Sequence, residues 1–65
     1  MNYLSIYPSK CRKNISKLML MLSSDAETVY QMMKMTASIM NLDVWDNRVV
    51  RVILDDCGIE NVWGD

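Results

Sequence analysis

Hydrophobic residues recur along this chain with two different periods. Residues 2 to 7, NYLSIY, alternate: Tyr3, Ser5 and Tyr7 point one way and Leu4 and Ile6 the other, a strand pattern that ends at Pro8. Beyond Pro8 the period lengthens. Ser9 is a suitable N-cap, and over residues 10–22 Cys11, Ile15, Leu18, Met19 and Leu22 fall on one helical stripe with Lys10, Lys13 and Lys17 opposite. Leu and Met favour this helix over the strand that KLMLML would otherwise form.

A second helix is expected over residues 25–41. Ser24 and Glu27 have capping-box spacing, Asp25 falls in the first turn where the helix dipole favours an anion, and no Gly or Pro interrupts. At about 100° per residue, Ala26, Val29, Tyr30, Met33, Ala37 and Met40 form one stripe, and Met32, Met35 and Ile39 form another beside it. A helix apolar on two stripes needs cover on two sides, more than one short neighbour supplies. After a link containing Asp43 and Trp45, residues 46–57 place Val49, Val50, Ile53, Leu54 and Cys57 on one arc, with Arg48, Arg51, Asp55 and Asp56 opposite. Gly58 followed by Ile59 suits a Schellman stop. The β-branched residues in this segment leave open an α+β alternative with residues 48–54 as a strand.

The pattern therefore predicts a mainly α fold, one small domain over residues 1–65. A short N-terminal strand precedes a three-helix arrangement, about 10–22, 25–41 and 46–57. A dimer is expected, because an unpaired strand and a second apolar stripe both ask for a partner. Length points the same way: a chain this short buries only about 60% of the surface its unfolded form exposes. Trp45 is expected to lid the helices, and Trp63 lies in an extended tail.

Composition adds one unusual feature. Six of the seven methionines fall between Met19 and Met40, and Met suits irregular core gaps and adaptable contact surfaces alike. Met32, Met35 and Ile39 are the candidates for facing another chain.

Net charge is only −1, but residues 1–24 carry Lys10, Arg12, Lys13 and Lys17 with no acid, whereas the remainder holds three basic and eight acidic groups. The aligned lysines, flanked by Arg12, are expected to meet an acidic protein surface, since lysines act as point charges that steer association. With Trp63, a frequent type at interface hot spots, the candidate partner-binding set is Lys10, Arg12, Lys13, Lys17, Met32, Met35, Ile39 and Trp63.

Catalytic equipment is sparse. There is no His, Cys11 and Cys57 make no Cys-x-x-Cys pair, and adjacent Asp55 and Asp56 diverge on a helix instead of sharing a proton. The acidic residues lack EF-hand spacing, and glycines only at 58 and 64 build no phosphate loop. No enzyme, cofactor or metal site is expected, and both thiols are expected reduced and buried. The longest apolar runs are too short to span a membrane. A basic start, an apolar segment and Ser24-Asp25-Ala26 have some likeness to a secretory signal, but Lys17 interrupts the apolar segment. A cytoplasmic protein is expected.

The order strand, Pro, helix, capped helix over residues 2–41 resembles the ribbon-helix-helix regulators. In these, two chains pair N-terminal strands and insert the ribbon in the major groove. That resemblance implies a dimeric DNA-binding protein with Asn2, Leu4 and Ile6 facing the groove. Only Asn2 of the three addresses a base edge well, and the acidic overall balance opposes a phosphate footprint. The leading expectation is a small non-enzymatic regulatory or inhibitory protein acting by protein–protein interaction, of a kind commonly encoded by phages and mobile elements. Its expected partners are a second copy of itself and an acidic protein; the DNA-binding regulator is the alternative.

Overall fold

A computed structural model describes residues 3–59. The chain forms a single-turn 3-10 helix, Tyr3–Ile6, and then three helices: α1 (Ser9–Leu22), α2 (Ala26–Met40) and α3 (Asn47–Asp56). Helix α2 packs against both others, and α1 also touches α3. The mainly helical expectation holds, and residues 48–54 lie within a helix, which removes the α+β alternative.

The expected strand at residues 2–7 is corrected. Where described, this segment is a turn closed by the Tyr7 amide donating to the Leu4 carbonyl at 3.1 Å. The spacing that decides it is three, not two: Leu4 and Tyr7 both pack against the core, while Ser5 and Ile6 are exposed. The Tyr7 ring meets Tyr30 of α2 at a centroid distance of 4.7 Å, tilted by 48°, and Lys34 Nζ lies 4.9 Å from the Tyr30 ring centre. Arg12 adds a tether, donating from Nη1 to the Ser5 carbonyl at 3.4 Å and from Nη2 to Ser9 Oγ at 3.0 Å.

The helix ends also shift from expectation. Ser9 does not cap α1; it is the first helical residue, and Pro8 precedes it with its carbonyl accepting from the Arg12 amide at 2.9 Å. Proline has no donor to lose at such a position. The Ser24–Glu27 capping box does not form either. Asp25 caps α2 instead, its Oδ1 accepting from the Thr28 amide at 3.0 Å, while Ser24 Oγ donates to the Leu22 carbonyl. A carboxylate makes the stronger, charge-assisted acceptor, and the cap's Thr28 hydrogen bonds hold the Asp25 pKa below its ordinary value.

Two helices stop in the same way. At the end of α3 the Ile59 amide donates to Leu54 O at 2.9 Å and the Gly58 amide to Asp55 O at 3.0 Å, with Gly58 at φ 72°, the expected Schellman stop. At the end of α2, Leu42 donates to Ala37 O at 2.9 Å and Asn41 to Ser38 O at 3.2 Å, with Asn41 at φ 58° in the left-handed position. Ser23, after α1, is left-handed as well, at φ 55°.

The core is built from Cys11, Ile15 and Leu18 of α1, Ala26, Val29, Met33 and Ala37 of α2, and Val49, Val50, Ile53 and Leu54 of α3. Burying each of the larger side chains contributes about 1.5–3 kcal/mol. Of the methionines in the described residues only Met33 is fully buried; Met19, Met21, Met32 and Met40 are half-buried at the rim of the core, and Met35 is exposed. They occupy the irregular margin, where a flexible thioether fits and a stiff Val or Ile would leave gaps.

Candidate functional interfaces

Two surfaces carry the candidate contact residues. The first is the outer face of α2. Met35 is 67% exposed and Ile39, one turn further on, is 83% exposed. Met32 is half-buried beside them, and Met32 and Met35 join Thr36, Ile53, Asp56 and Cys57 around a hollow of about 140 Å³ between α2 and α3. Met35 and Ile39 of the second stripe expected from the sequence are therefore left uncovered by the described helices, while Met32 packs against the core. Leu20 on α1, 77% exposed, lies one turn beyond Lys17, on the outward side of that helix.

The second surface is the basic strip of α1 and what lies beside it. Lys10 and Lys13 are exposed and Lys17 is half-buried. Lys10 and Lys13 line a hollow of about 350 Å³ together with Asn14, Trp45, Asp46 and Asn47. Arg12 is not among the residues that line it; its guanidinium donates to the Ser5 carbonyl and to Ser9 Oγ in the N-terminal turn. Trp45, expected as a lid, is 40% exposed and forms part of the wall. The link that carries Trp45 is a turn, in which the Asp46 amide donates to the Asp43 carbonyl at 3.0 Å.

Asp46 is the acid in this hollow, and it is occupied. Oδ1 caps α3 by accepting from the Arg48 amide at 2.9 Å, and the Arg48 side chain donates to Oδ1 at 3.1 Å and to Oδ2 at 2.8 Å. Arg48's side-chain hydrogen bonds, with its backbone amide, bring the Asp46 pKa down to about 2, and the same pair raises that of Arg48.

Asn14 is the residue that sequence reasoning missed. It is buried, and its Nδ2 donates to the Trp45 carbonyl at 2.7 Å, joining α1 to the α2–α3 link. The signal was present: Cys11, Asn14, Ile15 and Leu18 follow the i, i+3, i+4, i+7 spacing of a buried stripe, so a polar residue there needs an internal partner.

Other expected site residues are dispersed. Leu4 packs on the core and lines, with Met19, Asp25, Ala26 and Glu27, a hollow of about 450 Å³. Ile6 is 70% exposed, so these two of the three DNA-facing candidates do not share a face. Asn2 and Trp63 lie outside the described residues. The thiols are corrected in one respect: both are free and Cys11 is buried, but Cys57 is exposed. Cys57 keeps the helical register, its amide donating to the Ile53 carbonyl at 3.1 Å, but it stands at the end of α3 beside the open hollow of Met32 and Met35.

Among the described residues no cluster of three or more His, Cys, Asp or Glu side chains could hold a metal ion, and no helix is long and apolar enough to cross a membrane. Compared with known proteins, the chain matches no family model, no curated protein and no solved structure.

Proposed function

We propose that this is a small non-enzymatic regulatory or inhibitory protein that acts by binding other polypeptides, assembled as a homodimer through the outer face of α2. The observation that supports it is the pair Met35 and Ile39, 67% and 83% exposed one turn apart. Single exposed apolar residues are ordinary, but a stripe running into a groove is the mark of a contact surface. A second copy suits it because Met32, Met35 and Ile39 are uncharged and can meet their own copies across a two-fold axis, with Asp56 of the adjoining hollow left at the rim of the contact. The free thiols suit a reducing, cytosolic setting. The ribbon-helix-helix reading has less to stand on, since residues 3–6, which would supply most of its ribbon, form a turn that packs Leu4 on the chain's own core.

Sedimentation equilibrium at micromolar concentration tests the assembly, with Met35→Lys as the matched variant. The expected result is a dimer that Met35→Lys dissociates without loss of helicity, because a buried unpaired ammonium is costly in an interface and harmless on a monomer surface. A 7.6 kDa species throughout would overturn it.

A further inference from the structure

The hollow between α1 and α3 holds two cations that the described structure does not neutralise. Lys10 and Lys13 sit one turn apart on the exposed face of α1, close enough for one carboxylate to engage both ammonium groups. Neither has a hydrogen bond or ion pair among the described residues. The acid that lines the same hollow, Asp46, is committed to Arg48 and to the first turn of α3.

The setting of these lysines also runs against local stability. Helix α1 begins with no side-chain cap and no acid in its first turn, and it places Lys10 where the helix dipole repels a cation. Positions that break a local rule without internal compensation are where a binding role is expected. Beside the lysines, Trp45 supplies an apolar wall that is 40% exposed. Its backbone is fixed from behind by the Asn14 hydrogen bond, so the wall needs little ordering when a partner arrives.

We propose that this hollow is a docking site for an acidic segment of a partner polypeptide. One carboxylate engages Lys10 and Lys13, and a neighbouring apolar side chain lies on Trp45. Charge complementarity favours a peptide over a nucleic acid. Lys10 and Lys13 offer two cations over a short span, enough for one carboxylate, while Asp43 and Asp46 in the adjoining link oppose the longer phosphate track from which a nucleic acid gains affinity by counterion release. The site is distinct from the α2 stripe and does not require the dimer.

The test uses the full chain carrying Trp63→Phe, so that Trp45 is the only tryptophan reporter. The probe is a blocked peptide of alternating Glu and Leu, with a Gln-for-Glu peptide of the same length as control. The expected result is saturable change in Trp45 emission with the Glu peptide alone. The double variant Lys10→Gln, Lys13→Gln should weaken it about tenfold or more, while Lys34→Glu, an equal charge change on α2, should leave it within about twofold. Equal weakening by Lys34→Glu would overturn the proposal by showing diffuse attraction. So would an absent response at millimolar peptide, or tighter binding of a single-stranded oligonucleotide of matching charge. Helicity by circular dichroism checks that the variants fold, as exposed positions predict.

Discussion

The Asn14 side chain donates to the Trp45 carbonyl at 2.7 Å across 31 residues of sequence, the polar tie between α1 and the α2–α3 link. Removing the donor leaves a partly buried carbonyl unpaired, which costs about 1–3 kcal/mol. Asn14→Ala should therefore lower the urea midpoint by that equivalent at unchanged slope. Asn14→Asp should be worse at neutral pH, because a carboxylate only accepts and would face the carbonyl oxygen. A midpoint unchanged in Asn14→Ala would show that the tie contributes nothing.

Three left-handed residues end the three helices, and they separate backbone strain from packing. Ser23 at φ 55° has a Cβ in a region that costs most L-residues about 1–2 kcal/mol, so Ser23→Gly should stabilise by up to about 1 kcal/mol. Asn41→Gly should gain less, since Asn tolerates the region. Gly58→Ala should lose about 1 kcal/mol for the reverse reason, with sterics excluded because a Cβ there meets nothing within 4 Å. Thermal or urea unfolding of the three variants should reproduce this order.

The helices were legible because their apolar spacing repeats over three or more turns; Val29, Met33 and Ala37 could hardly face elsewhere. What was misread is short or local. Six residues of alternation before Pro8 fit a strand, yet a lone strand has no hydrogen-bonding partner, and a turn lets Leu4 and Tyr7 reach the core together. The capping box failed by one residue because Asp25 and Ser24 compete for the same role and the carboxylate is the better acceptor. The hollow beside Lys10 was invisible from sequence, since its wall comes from Trp45 in a link whose path no periodicity records.

Asp46 couples the start of α3 to acid. Its carboxyl has a pKa brought down from 3.8 to about 2 by Arg48. A group whose pKa is lowered on folding stabilises the native state above its ordinary value, and that contribution is lost as pH falls from about 4 through about 2. Asp46→Asn keeps an N-cap acceptor but has no proton to gain. Its urea midpoint should therefore fall less steeply than wild type across that window, while Asp25, capping α2, still contributes an acid limb of the same sign. Parallel curves for the two proteins would contradict the linkage.

The two thiols should react in sharply different ways. Cys11 has no exposed surface, lies between α1 and the core, and has its pKa raised by burial, so the reactive thiolate is doubly disfavoured. Cys57 stands just past the end of α3, exposed, at the mouth of the Met32–Met35 hollow. A disulfide reagent added to native protein should modify one thiol in a rapid phase and the second only at the rate at which the fold opens. Cys57→Ser should abolish the rapid phase and leave the slow one; Cys11→Ser should do the opposite. If the α2 face pairs two chains as proposed, the rapid phase should also slow with rising protein concentration, because Met35 and Cys57 border the same hollow. Met35→Lys, by dissociating the chains, should restore the fast rate. A rapid phase of two thiols per chain would refute the buried position of Cys11.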